Sequence, residues 1–158
     1  MEKYFPSSYE EFIYKRTYSR FIDKLNRREN WEETVNRYAD FFRGKLPTNG
    51  APTFEAEYNE AIAGILTLEE MPSMRALWAA GPALERDNIS GYNCSYLVVD
   101  SPAAFSELLY ILMNGAGAGW SVERQFVSKL PAVPAALEKT DNMIIVADSK
   151  LGWAKAAS

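Results

Sequence analysis

"NCSYLVVDSPAAFSELLYILMNGAGAGWSVER", Asn93 to Arg124, decides how this chain folds. Cys94 to Val99 is short and apolar with β-branched residues, is bounded by Asn93 and Asp100, and reads as a buried strand. Ser101-Pro102 starts a helix, with proline at the first helical position. "AAFSELLYILMN" carries that helix to a stop at Gly115. "GWSVER" (119–124) reads as a second strand and "NMIIVAD" (142–148) as a third. Strand, helix, strand in that order predicts an α/β unit with parallel pairing.

Upstream the pattern is helical. Apolar or aromatic residues at 9, 12, 13, 18, 21, 22 and 25 predict one helix over Tyr9–Leu25. Asn30 reads as an N-cap, with Glu32 and Glu33 in the first turn, where negative charge suits the helix dipole. That second helix runs to about Phe42 and stops at Gly44. "KLPTNGAPT" (45–53) is a loop by its Pro, Asn and Gly content. A third helix covers roughly Phe54–Leu68. "EEMPSMRALWAAGP" is a short mixed segment in which Pro72-Ser73 can cap a brief helix. The expected domains are therefore a helical region over 1–90 and the opening of an α/β domain over 91–158.

Downstream, "SKLGWAKAAS" starts as an amphipathic helix and reaches Ser158 without a glycine cap or polar tail. A few parallel strands cannot cover both faces of their sheet. The chain is therefore read as truncated or split, the alternative being a frayed helix at a natural terminus.

Composition narrows the function classes. Hydrophobic residues make up 47% and aromatic residues 13%, enough for a packed core. A formal net charge of −4 argues against a general nucleic-acid coat or an anionic membrane surface. One cysteine and no histidine exclude a zinc site of the usual ligand types and any internal disulfide. No apolar run approaches the roughly 20 residues that span a bilayer. The N-terminus lacks the basic start and apolar stretch of a signal peptide, so a cytoplasmic location is expected.

Two stretches invite a chemical reading. "NGAGAGW" (114–120) has the glycines of a dinucleotide loop, but a helix precedes it and a strand follows, the reverse of what phosphate binding at a helix N-terminus needs. It reads either as a helix C-cap at Gly115 with tight helix–strand packing, or as a bed small enough for a sugar or base to lie against the backbone. Cys94 reads either as a small buried hydrophobe or as a redox thiol. Without a histidine it has no built-in base for papain-like hydrolysis, and two-electron work needs a second thiol that this chain does not hold. "YKRTYSR" (14–20) and "NRRENWEE" (26–33) read as solvated helix faces.

Taken together, four segments resemble the N-terminal part of a ribonucleotide reductase catalytic subunit. "YKRTYSRF…RRENWEETVNRY" (14–38) is similar to the opening of the compact, vitamin B12-dependent, monomeric members and of related phage enzymes. "MPSMRALWAAG" (71–81) resembles the segment before the first barrel strand. "NCSYLVV" resembles that strand with its redox cysteine, and "GAGAGWSVER" (115–124) the small-residue turn under the nucleotide.

The resemblance implies a ten-stranded α/β barrel preceded by a helical domain, of which this chain holds the helices and the first strands. It implies reduction of a ribonucleotide's 2′-hydroxyl. A thiyl radical removes the 3′-hydrogen, and a cysteine pair supplies two electrons while a glutamate and an asparagine assist. By motif match Cys94 is one member of that pair. Ser73 and Asn93 match positions that contact sugar or phosphate, and Ala116 and Gly117 the turn against the nucleotide. Asp100, Ser101 and Arg124 fall near the site of an allosteric deoxynucleotide.

The radical-bearing cysteine, the partner of Cys94, the glutamate and the asparagine lie later in the family's chain, so the remaining barrel is the first implied partner. A ribonucleotide substrate, a deoxynucleotide effector and a thioredoxin-like reductant are the others. The radical source is adenosylcobalamin, or alternatively a separate metal-containing radical subunit. A different class of function, a non-catalytic nucleotide-binding regulatory module, stays open, as does a helical interaction domain with Cys94 in its core.

Overall fold

The Asn30 side chain accepts a hydrogen bond from the Glu33 N–H at 2.8 Å, and the Glu33 carboxylate accepts one from the Asn30 N–H at 2.8 Å. This reciprocal capping box favours a helix start at Trp31, because it satisfies two donors that a helix end leaves bare. The computed structural model describes residues 4–46 and 54–157. It divides into two compact units, Met1–Gly91 and Tyr92–Ser158.

The first unit is mainly helical. It holds α1 (Ser8–Thr17), α2 (Trp31–Arg43), α3 (Phe54–Thr67), α4 (Met74–Ala79) and α5 (Pro82–Arg86), with a short antiparallel pair, β1 (Phe21–Ile22) and β2 (Arg27–Arg28), between α1 and α2. Within the expected loop 45–53, residues 47–53 lie outside the described residues. Ser73 caps α4, its hydroxyl accepting from the Ala76 N–H at 3.4 Å.

The helix expected over Tyr9–Leu25 stops at Thr17 instead. A buried carbonyl gathers the chain back: Glu29 C=O accepts from the Tyr14 hydroxyl at 3.2 Å and from the Ser19 hydroxyl at 2.7 Å. Asn26, with φ 48°, then makes a left-handed turn that asparagine tolerates well. Phe21 and Leu25, counted on a buried helical face, are instead 53% and 55% exposed.

Phe5, Tyr14, Trp31, Val35, Ile65 and Leu77 form the core of this unit. Tyr14 meets Trp31 edge-on at 5.3 Å, and Phe5 stacks on Tyr14 at 5.1 Å. Such pairs add about 0.5–1.5 kcal/mol beyond their area. The Trp31 indole N–H donates to Leu66 C=O at 2.9 Å, so the buried ring keeps its polar edge satisfied.

The second unit is built on β3 (Cys94–Val98), α6 (Ala103–Met113) and β4 (Gly117–Ser121), followed by α7 (Arg124–Val127) and α8 (Lys150–Ala156). β3 and β4 pair in parallel, Cys94 opposite Gly117 and Val98 opposite Ser121, and α6 packs on both strands and on α8. α6 starts at Ala103, one place later than expected, with Pro102 as its cap residue instead of its first helical residue. The second strand begins at Gly117, two residues before the expected start, and ends at Ser121.

Two expectations fail here. Residues 142–148 form no strand, and Met143, Ile144 and Ile145 are 84%, 72% and 88% exposed. A strand needs a neighbour to take its backbone hydrogen bonds, and none stands beside this segment among the described residues. β3 is not a buried strand either: Cys94 is exposed and Tyr96 is 66% exposed. A two-stranded sheet with one crossover helix has a face left open.

Candidate functional site

The turn that carries the glycines is set by Asn114. Its buried amide donates to Tyr110 C=O at 3.0 Å and accepts from Lys150 Nζ at 2.7 Å, closing α6 and tying it to α8. Gly115 follows at φ 82°, a left-handed conformation that glycine adopts without the steric cost other residues meet. The chain reverses there and enters β4. Gly117 N–H donates to Asn93 C=O at 2.8 Å, which fixes the register and sets Gly117 opposite Cys94.

Alternation along both strands places Cys94 and Tyr96 of β3 on one face with Gly117 and Gly119 of β4. All four are exposed. The Cys94 thiol therefore stands at the edge of an open strip whose neighbouring strand has no side chains at alternate positions. Asn93 is exposed immediately before the thiol, whereas Ala116 is buried, at 2% exposure. A thiol so placed is reachable by a second thiol or by a flat ligand lying on the glycine backbone.

Asn93, Cys94, Ala116 and Gly117 are thus brought together where two parallel strands begin. Asp100, Ser101 and Arg124 lie past the far ends of the same strands, ends that are themselves about 13 Å from Cys94 and Gly117 at the usual rise per residue. Asp100 faces Lys129 Nζ at 3.5 Å, and Arg124 is exposed as the first residue of α7. Ser73 belongs to the helical unit, exposed at the start of α4.

Two apolar hollows, one of about 560 Å³ in the helical unit and one of about 490 Å³ beside β4, include none of these residues in their walls. No group of three or more His, Cys, Asp or Glu side chains among the described residues could hold a metal ion.

Glu29 was hidden within a stretch expected to be a solvated face. It is 6% exposed, and Tyr14, Ser19 and Trp31 from the same two stretches are buried too. Burial alone would raise its carboxyl. Hydrogen bonds and charge from Arg37, the Arg20 N–H and the Thr34 hydroxyl outweigh that and hold it below its ordinary value. Nothing in local spacing marks Glu29 as buried, because its carboxylate partners lie five to nine residues away in other parts of the chain. Asn114 was overlooked for the same reason: Lys150 lies 36 residues on.

Residues 1–82 match the family model of the ribonucleotide reductase alpha domain. The chain belongs to that family. An adenosylcobalamin-dependent ribonucleoside-triphosphate reductase of Lacticaseibacillus paracasei is 31% identical over 156 residues, covering 80% of this chain and 21% of that protein. The reductase of the same name from Lactobacillus gasseri is 30% identical over 161 residues, covering 84% and 21%. The crystal structure of a B12-dependent (class II) ribonucleotide reductase superposes with a TM-score of 0.72 at 25% identity, over 92% of this chain and 28% of that one. The chain spans about a fifth of the length of these curated relatives.

The family relationship agrees with the resemblance carried by the four quoted segments. A mixed helix-and-sheet fold agrees with the α/β expectation, and no helix among the described residues is long and apolar enough to cross a membrane.

Proposed function

We propose that this chain is the opening part of a ribonucleotide reductase barrel that converts ribonucleotides to deoxyribonucleotides, with Cys94 as one thiol of the redox pair. The observation that carries this is the exposed Cys94 set against Gly117 at the shared start of two parallel strands. In this reading β3 and β4 are the first strands of a ten-stranded α/β barrel, 1–90 is the helical domain, and 91–158 opens the catalytic one.

The chemistry balances with one thiol from here and one from elsewhere. Two thiols give up two hydrogens and become a disulfide, while the ribose C2′–OH becomes C2′–H and its oxygen leaves as water. The chain has one cysteine, so the partner thiol and the radical-bearing cysteine come from the remaining barrel, as do the assisting glutamate and asparagine. A thioredoxin-like dithiol then restores the pair. Asn93 and Ser73 hold the sugar or phosphate, Ala116 and Gly117 bring the backbone close to the nucleotide, and Asp100, Ser101 and Arg124 receive a deoxynucleotide effector.

Adenosylcobalamin, on which the relatives depend by name, supplies the radical in this reading. The described residues give it no identifiable seat: the chain has no histidine to ligate cobalt and the strip beside Cys94 is exposed, so the corrin is assigned to the remaining barrel.

Cys94→Ser in the protein carrying its full barrel tests the proposal. Turnover should vanish while equilibrium dialysis shows nucleotide binding retained. Sustained multiple turnover with a dithiol reductant would remove Cys94 from the redox pair, and a chain acting only as a regulatory nucleotide-binding module would lose nothing. Native mass spectrometry of the protein from its natural source would show whether the barrel is completed in one polypeptide or by a second, cysteine-rich one.

A further inference from the structure

A helix leaves its last four carbonyls without partners. In α4, arginines from other elements take three of these. Arg37 Nη1 donates to Leu77 C=O at 3.0 Å and to Ala80 C=O at 2.9 Å. Arg20 donates to Trp78 C=O through Nε at 2.9 Å and Nη2 at 2.6 Å, with its guanidinium 5.4 Å from the Trp78 ring.

Arg37 stands on α2 and Arg20 in the segment between α1 and β1, and Glu29 ties down both. Glu29 binds Arg37 with both oxygens, at 2.8 Å to Nε and 3.0 Å to Nη2, and also accepts from the Arg20 backbone N–H at 3.1 Å. One buried carboxylate thus orients the Arg37 fork and fixes the backbone from which Arg20 reaches Trp78.

We propose that Glu29, Arg37 and Arg20 form a clamp that positions α4, and through it Ser73, against the nucleotide. The proposal rests on Ser73 being a substrate contact. Leu77 links the two ends: its carbonyl is held by Arg37, and its N–H donates to Ser73 C=O at 2.9 Å. The whole of α4 is six residues, about 9 Å long, far too short to be stable by itself. Leu77 and Ala79, at 1% and 0% exposure, anchor it in the core, while Met74 and Trp78 are 55% and 38% exposed. Leu77 is the only large side chain of α4 that is fully buried, so the arginines' hold on the helix carbonyls sets its orientation. Displacing a substrate-holding group by about 1 Å can cost on the order of a hundredfold in rate.

Lysine keeps the charge of arginine but not its planar fork, and its three N–H donors cannot replace the four hydrogen bonds that Arg37 makes to Glu29, Leu77 and Ala80. In the complete enzyme, Arg37→Lys should raise KM for the nucleotide about tenfold with kcat changed far less, and thermal unfolding should show a folded protein. Ser73→Ala should raise KM as well, and Ser73→Ala/Arg37→Lys together should match Ser73→Ala alone. A loss of stability without positioning would not give that non-additivity.

If Ser73→Ala raises KM while Arg37→Lys leaves it unchanged, or if the two effects multiply, the clamp is overturned and the Ser73 contact stands. If Ser73→Ala leaves KM unchanged, the substrate contact fails and the clamp proposal falls with it. Should Arg37→Lys not fold, Arg20→Gln, which removes only the hold on Trp78, is judged by the same criteria.

Discussion

Cys94 and Gly117 stand opposite one another in the parallel β3–β4 ladder, and a Cβ on residue 117 would lie 3.9 Å from the Cys94 Sγ and 3.5 Å from the Asn93 carbonyl oxygen. These are ordinary contact distances, so an alanine fits, whereas a branched side chain reaches over the sulfur. Gly117→Ala should leave stability within about 1 kcal/mol and slow alkylation of Cys94 slightly. Gly117→Val should slow it severalfold. Pseudo-first-order rates with iodoacetamide decide this, and equal rates for the three proteins would show that residue 117 does not control access.

Gly152 lies inside α8, where alanine would ordinarily stabilise by about 1 kcal/mol. Here a Cβ would overlap the Ala147 carbonyl oxygen and stand 2.9 Å from its carbon. Those are backbone atoms, which cannot rotate aside as the end of a flexible side chain can. Gly152→Ala should therefore destabilise by about 1–3 kcal/mol, as overpacking does. Urea unfolding gives the sign directly, and a higher midpoint would mean that the segment before α8 yields freely.

Glu33 accepts from Arg27 at 2.7 and 2.8 Å and from the Asn30 N–H at 2.8 Å. The Arg27 hydrogen bonds first, and the backbone bond second, hold its carboxyl at about 2 against an ordinary 4.5. The folded value is the lower one, so the stabilisation is complete above about 4.5 and is lost as pH falls through about 2. The side chain is 33% exposed, and solvent screening keeps the gain modest. Arg27→Ala should move the Glu33 carboxyl titration, followed by carbon-detected NMR, up toward 4.5. It should also cost less stability in acid than at neutral pH. An unmoved titration would remove Arg27 as the cause.

Asp100 and Lys129 are 36% and 57% exposed and 3.5 Å apart. Exposed pairs of this kind contribute about 0–1 kcal/mol. Asp100→Asn should accordingly shift the unfolding free energy by less than about 1 kcal/mol. The same variant in the complete enzyme should blunt the response to deoxynucleotide effectors if Asp100 helps to bind them. A response identical to the parent enzyme would take Asp100 out of that role.

The elements that could be read from the sequence share one property: each is settled by groups a few residues apart. Asn30 reaches Glu33 and Ser149 reaches Gly152, each three residues on, so the cap is written beside the helix it starts. The order of β3, α6 and β4 was legible for a related reason, since the apolar period changes at Asp100 and again at Gly115.

Tertiary structure decided what depended on distant partners. Tyr14 and Ser19 bind the Glu29 carbonyl and end α1 where periodicity alone continues it to Leu25. Residues 142–148 carry the composition of a strand but lie beside no strand to pair with among the described residues, and remain irregular and mostly exposed. Arg20 and Arg37 look like surface charges until α4, some 40 to 60 residues on, presents its carbonyls to them. A hydrogen bond within one turn costs little chain entropy and forms from the local sequence, whereas a bond across tens of residues exists only after packing has brought its two ends together.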